Sequence, residues 1–331
     1  MNGKLNGLKI FLALALLLGF ASLISAADFP EKPIEILMPY GAVGGTAAIH
    51  RIVADNMSKY LGKQVILTPA IGAGGTVAGE KIAHRTKPDG YTLISVSSGT
   101  NGAALYTKKD ITYTEDDFTY LLETHASYLA LVAAPNAPFK TLEEFLAFAR
   151  KNPNTIKHAS TGIGTSGHLC YEYLRLRTGG LKIDLVPFRT APEVTKAVVS
   201  GVTYSASVYG GSGGPNDEIQ KSAEGGARIL AVTSAERLKP WPEVPTFKEK
   251  GIDLVWGAWW GIGGPKGLPD KVLVVLKNAL YKAVEDPQVR KVAESGGYKF
   301  EVRKQEEFTA FVKEYNKVGE MIVREAKIPK N

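Results

Sequence analysis

Twice in this chain a short apolar run ends in a glycine-rich loop that opens into an amphipathic stretch. In the first, Ile-Glu-Ile-Leu-Met at 34–38 leads into Pro39, Tyr40, Gly41, Ala42, Val43, Gly44, Gly45 and Thr46. Ile49, Ile52, Val53, Met57, Tyr60 and Leu61 then recur at helical spacing. In the second, a strand near 156–160 leads into Ser160, Thr161, Gly162, Ile163, Gly164, Thr165, Ser166 and Gly167, with a helix from His168. A strand that feeds a helix through a tight turn packs that helix back across its own sheet, which commits the chain to parallel strands flanked by helices. Glycines let the loop backbone turn successive N–H groups toward a ligand, and the following helix adds unpaired donors and the positive end of its dipole. Each loop is thus suited to an anion without any arginine. A tight strand-to-helix turn needs the same glycines; it is the recurrence in matching positions that favours a site.

The alternation continues elsewhere. Strands are expected at 65–67 and 91–96, with a helix near 76–84 between them. Thr141 and Glu144 form a capping box that opens a helix to about Arg150. Strand 183–186, helix 192–199 and strands 204–208 and 229–233 complete a second set. Strand 256–262 and helices 270–284 and 305–324 follow. The last helix carries a buried stripe of Phe308, Phe311, Val312, Tyr315, Val318 and Ile322. No tandem repeat or low-complexity segment is present.

The N-terminus reads as an address. Lys4 and Lys9 precede an apolar run at 10–18, and Ser25-Ala26-Ala27 places small side chains where a signal peptidase cuts. A retained anchor is the alternative, but the run is short for a membrane span. Cleavage after Ala27 removes two lysines and no acid, so the formal charge falls by two from +7 to +5. The basic residues are scattered along amphipathic helices, which does not support a nucleic-acid footprint. The single cysteine, Cys170, cannot form an internal disulfide and reads as a small core residue. About 300 mature residues exceed the usual limit of one hydrophobic core, so two lobes are expected. Residues 28–128 with 254–331 form one, and 129–253 the other.

Catalytic motifs fail on inspection. Gly162, Gly164 and Gly167 spell a dinucleotide fingerprint, but the acid about 20 positions on is Asp184, inside a strand instead of at its end. Residues 210–214 spell the G-x-S-x-G elbow around Ser212, yet all five histidines precede Ser212 and Pro215 interrupts the helix start the elbow needs. A flexible or solvent-facing glycine turn is expected there. His158, His168 and Cys170 lack zinc spacing, so neither a metal nor a cofactor is expected. His168 just inside a helix start either donates to a ligand or covers the turn. Ser97, Ser98, Gly99, Thr100 and Asn101 end a strand as cleft lining or as a capped turn. Arg189, beyond another strand, is in reach of a carboxylate or simply solvated. Trp256, Trp259 and Trp260 read first as core, with a wall beside an aromatic solute as the alternative.

Taken together, Phe29 to Ile34, Pro39 to Arg51, Pro69 to Thr76, Lys87 to Leu93, Ala159 to His168, Val186 to Pro192, Leu230 to Ala235, Pro242 to Thr246 and Gly261 to Pro269 carry a specific likeness. The chain resembles the extracytoplasmic receptors of tripartite tricarboxylate transporters, the Bug-type binding proteins, over its whole mature length. That resemblance implies an α/β, two-lobed periplasmic binding protein of type II-like architecture. Each lobe is a mostly parallel sheet flanked by helices, with the ligand cleft at the hinge. It implies a monomer that captures a small carboxylate, with no catalysis, and delivers it to a permease of one large and one small subunit. The loops matching Tyr40 to Thr46 and Ser160 to His168 would hold carboxylates, largely through backbone N–H groups and water. The segments matching Ser97 to Asn101 and Phe188 to Ala191 would line the two lobes. Two departures stand out. The family pattern often has Asp after Gly-Gly-Thr, where this chain has Ala47, and Asp at the end of the strand here reading Ser207-Val208-Tyr209, where none is present; Val208 is among the expected lining residues. Both changes remove negative charge and favour a dianion or aromatic carboxylate over a ligand amine. Rivals of other classes are an exported serine hydrolase acting on carboxylate esters and a ligand-sensing subunit of a signalling system.

Overall fold

The computed structural model describes residues 29–215 and 217–330; the signal-peptide expectation for 1–27 lies outside them. Among the described residues, nine strands form one curled mixed sheet in the order β2-β1-β3-β9-β4-β7-β5-β6, with β8 also paired to β4. At one end, β1 (Ile34–Met38) lies parallel to β2 (Val65–Pro69) and β3 (Thr92–Ser97). At the other, β5 (Lys157–Thr161) lies parallel to β6 (Asp184–Phe188) and β7 (Ser205–Gly210). Between these ends run β4 (Phe118–Ala133) and β9 (Gly257–Pro265), antiparallel to each other and to their outer neighbours. β8 (Arg228–Val232) continues along β4 beyond the end of β9. Each end is therefore parallel as expected, and the centre is antiparallel.

The central strand β4 is the longest, at 16 residues, and pattern reading did not find it. Fifteen of its residues are buried, so no polar face alternates with an apolar one. Glu123, Thr124, His125 and Ser127 interrupt the apolar run as well, and register shifts near Tyr120 and Glu123 break the period of two.

Helices cover the sheet. α1 (Gly45–Leu61) buries Ala47, Ile49, Val53, Ala54 and Met57 against β1 and α8 (Asp270–Val284). It ends at Gly62 in the left-handed conformation, φ 64°, the usual stop for a helix. Tyr60 leaves the expected face: it is 55% exposed, with the Lys282 ammonium 5.6 Å from its ring centre. α2 (Thr76–Arg85), the short α3 (Ala104–Thr107) and α4 (Leu142–Lys151) follow in the chain. Thr141 caps α4 by accepting from Glu144 N–H at 3.2 Å, while the Glu144 carboxylate reaches Lys140 N–H at 2.6 Å. α5 (Ser166–Arg177), α6 (Ala191–Val199) and α7 (Glu218–Glu224) cover the other end, and α9 (Pro287–Ser295) follows α8. Phe308, Val312, Tyr315 and Ile322 of α10 (Gln305–Glu325) are buried, with Phe311 and Val318 half-buried. Tyr315 stacks on Trp256 (centroids 4.3 Å apart, 16° between planes), and Phe308 meets Trp259 edge to face at 5.3 Å. Trp256 and Trp259 are core residues, as the sequence suggested.

The turn at residues 210–214 is packed against the protein instead of facing solvent as expected. Gly211 and Gly214 are buried, and the amides of Gly211, Ser212 and Gly213 all donate to Asp217 Oδ2, at 3.0, 3.2 and 2.7 Å. The loop is a nest folded around one buried carboxylate. Ser212 gives its hydroxyl to the carbonyl of Tyr298. Among the described residues, no group of three or more His, Cys, Asp or Glu side chains is placed to hold a metal ion. Cys170 is buried, and burial pushes its thiol up to about 12.

Candidate functional site

The first glycine loop and the start of α1 open onto a cavity of about 520 Å³ between the two ends of the sheet, well inside the size range of small-molecule sites. β1 ends at Met38 and the chain turns through Gly41 (φ +95°) and Gly44 (φ +92°). The first intrahelical bond is Ala48 N–H to Gly44 O at 3.0 Å, which leaves the amides of Gly45, Thr46 and Ala47 as helix-end donors. All three residues line the cavity. Gly45 is required by space: a Cβ there would stand 2.6 Å from Cε2 of Tyr298. Gly44 meets nothing within 4 Å, so its constraint is the positive φ alone.

The end of β3 supplies Ser95, Ser97, Ser98 and Gly99. Thr100 and Asn101 stand behind them. Thr100 donates to the Tyr40 hydroxyl at 3.3 Å, and Asn101, fully buried, accepts from Ser97 N–H at 3.3 Å. The Tyr40 ring lies over Gly99, where a Cβ would be 2.3 Å from its hydroxyl. Pro39, Tyr40, Gly41 and Val43 complete the first-loop lining; Ala42 and Gly44 do not reach the cavity.

From the second glycine loop only Ser166, the first residue of α5, lines the cavity. The rest of the loop is held internally. Thr161 and Thr165 share a 2.8 Å hydroxyl bond, and Thr165 caps the helix by accepting from His168 N–H at 3.4 Å. His168 turns its ring back, accepting from Gly164 N–H at 3.2 Å with Nδ1, and it is 4% exposed. Gly164 (φ +80°) rests on Thr107, Ser160 is fully buried, and Gly162 lies near the Phe188 carbonyl. Arg189 is exposed, with its backbone N–H on Glu193 at 2.9 Å, outside the cavity lining. Val208 is buried in the core, and the alternation of β7 turns the next residue, Tyr209, into the cavity instead.

Trp260 of β9, read first as core, is instead a wall of the cavity, and residues that pattern reading did not assign complete it: Ser127 of β4, Ala258 of β9, Tyr209, and Tyr298 in the connection after α9. Trp260 stacks on His125 (5.0 Å, 8°), and Tyr298 meets both edge to face at 5.5 and 4.9 Å. The only local signal for Tyr298 was the Gly296-Gly297 pair before it, which marks a turn without saying what faces it.

Among the described residues, no charged side chain lines this cavity. Its polar groups are hydroxyls and helix-end amides. Burial pushes the Tyr209 hydroxyl up to about 12 and raises that of Tyr298, so both stay protonated and able to donate. Beneath the α1 start lie two fully buried histidines, His50 and His125. Burial lowers His50 to about 3 and, with help from His50, holds His125 well below the usual range. A second concavity of about 450 Å³ lies between the start of α4 and β8, where Lys250 and Glu143 already pair at 2.7 Å.

The profile of the family described as "Tripartite tricarboxylate transporter family receptor" matches residues 49–328. A Cupriavidus necator protein described as "UPF0065 protein in gbd 5'region" is 32% identical over 276 residues, covering 82% of each chain. Among solved structures, a TctC solute binding protein from Polaromonas superposes with a TM-score of 0.80 at 26% identity, over 90% of this chain and 99% of that one. MatC from Rhodopseudomonas palustris, solved with bound malate, superposes with a TM-score of 0.67 at 26% identity, over 89% and 100%.

Proposed function

The chain belongs to the tripartite tricarboxylate transporter receptor family, and from that membership we propose that it is a periplasmic receptor for a small carboxylate, a dianion or an aromatic acid, which it hands to a two-subunit membrane permease. One observation carries this reading: a small-molecule cavity with no charged side chain among the described residues that line it, whose donors are hydroxyls and the free amides of the α1 start. Such a site stabilises an anion through fixed dipoles. Charge-assisted bonds of about 1.5–3 kcal/mol each supply the about 8 kcal/mol of micromolar affinity once ordering costs are met. Ala47 supports the choice of an anion over an amine, because this position lines the cavity and an aspartate here would stand beside the ligand. The malate held by the Rhodopseudomonas relative is an acid of the proposed class.

In this reading residues 28–128 with 254–331 and residues 129–253 move as two lobes. The exchange of partners along β4 supports that division, since pairing with β9 ends at Tyr128–Gly257 and pairing with β7 begins at Tyr128–Gly210. A ligand that bridges the α1 start and Ser166 stabilises the closed form by its differential affinity. Residues 1–27 direct export and are removed.

Calorimetric titration with malate, adipate, benzoate and glutamate tests the proposal. Binding of at least one of the first three is expected. Preference for zwitterionic glutamate, or binding of none, sinks it.

A further inference from the structure

Under the α1 start, four side chains hydrogen-bond in a row: His50, Thr124, His125 and Thr46. The first three are fully buried, and Thr46 lines the cavity. We propose that this row is a one-way relay that holds Thr46 as a permanent hydrogen-bond donor to the bound anion, which makes His125 a positioning residue for recognition. The ligand half of the proposal rests on the carboxylate reading above; the direction of the relay does not.

The direction follows from the bonding inventory. His50 Nδ1 has no partner. A buried N–H without an acceptor is rarer than a bare lone pair, so the His50 hydrogen sits on Nε2 and is donated to Thr124 Oγ1 at 3.0 Å. Thr124, having accepted, has one hydrogen to give. His125 Nδ1 is 2.9 Å away and the Trp260 carbonyl 3.2 Å, and the shorter contact takes it. A neutral His125 that accepts at Nδ1 carries its hydrogen on Nε2, which faces Thr46 Oγ1 at 3.1 Å. Thr46 accepts that hydrogen and keeps its own to give, either to the neighbouring Tyr298 hydroxyl or to a carboxylate in the cavity, the stronger acceptor of the two. Two features lock the relay: Trp260 stacks flat on the His125 ring, and burial keeps both rings neutral. Were Thr124 to donate to Trp260 instead, His125 would carry its hydrogen on Nδ1, and Thr46 would present lone pairs that repel a carboxylate.

Histidine-ring ¹⁵N NMR of the full mature protein, without added ligand, reads the tautomers directly. Both His50 and His125 are expected as Nε2–H; an Nδ1–H tautomer at His125 overturns the relay, whatever the protein binds. Titration with malate, adipate and benzoate reads the consequence. Thr46→Val is expected to weaken binding of the acid that wild type accepts by about tenfold or more, the loss of one charge-assisted bond, and Thr46→Ser to recover most of it. His125→Leu should resemble Thr46→Val, while His125→Gln, whose amide can still donate to Thr46, recovers part of the loss. Equal binding by Thr46→Val and wild type overturns the role of Thr46. Failure of wild type to bind malate, adipate or benzoate overturns the parent reading and the anion-donor role with it, and leaves the tautomer result standing.

Discussion

The ring of Tyr298 occupies the space a side chain on Gly45 would need: a Cβ built there meets Tyr298 Cε2 at 2.6 Å and its hydroxyl oxygen at 2.8 Å. The two residues lie more than 250 positions apart, yet each fixes the other at the point where α1 opens onto the cavity. Gly45→Ala must therefore displace the ring and the wall it forms. Ligand affinity is expected to fall by about tenfold, while Gly45→Ala made in a Tyr298→Ala background costs little more than Tyr298→Ala alone. Additive losses in that double-mutant cycle, read by titration, would show that the contact does not shape the site.

Gly44 tests backbone capture by another route. Its φ of +92° and ψ of −177° belong to a region that is essentially glycine's alone, at a cost of about 1–3 kcal/mol for other residues. Gly44→Val should redirect the loop amides and weaken binding more than Ser166→Ala, which removes one hydroxyl. Titration of the two variants against the same acid decides it, and the opposite order argues for side-chain capture.

The nest at residues 211–213 predicts a stability effect. Asp217→Ala strands several loop amides, and burying each unsatisfied group costs about 1–3 kcal/mol. Chemical denaturation should show a drop of at least that size. Because the loop supports the Tyr298 carbonyl through Ser212, ligand affinity should fall as well. A variant of unchanged stability would contradict the nest.

Three fully buried histidines set much of the response to acid, and burial lowers His168 as well. Burial lowers His50 and His158 to about 3 and holds His125 well below its usual range. Each folded-state value lies below the unfolded value of about 6.5, so the unfolded chain takes up protons first. Their contribution is fully present above pH 6.5 and is lost as pH falls from there toward 3, by about 1.4 kcal/mol per unit for each ring. His158 is bonded to Ser205 and Ser207, both at 2.9 Å, away from the cavity lining. His158→Gln should therefore flatten the fall in denaturation midpoint below pH 6 by about one proton, even if it lowers stability throughout. An unchanged slope would mean that ring is charged in the folded protein.

What the sequence determined by itself was local. The strand–glycine loop–helix units, the Thr141 cap, and helices at 270–284 and 305–324 were legible because backbone propensity and helical spacing act over a few residues. The positive φ of Gly41, Gly44 and Gly164 belongs to the same class. Tertiary structure alone decided which residues share the cavity. Trp260 and Tyr298 meet His125 only because β9 and the 296–304 connection both lie along β4, whose nearly complete burial hid it from pattern reading. His168 and Val208 sit in the segments the sequence singled out, yet the alternation of β7 and the closing of the second loop on itself turn both away and leave Tyr209 and Ser166 facing the cavity. Which way a side chain points depends on strand pairing between distant segments, and no short window of sequence contains that information.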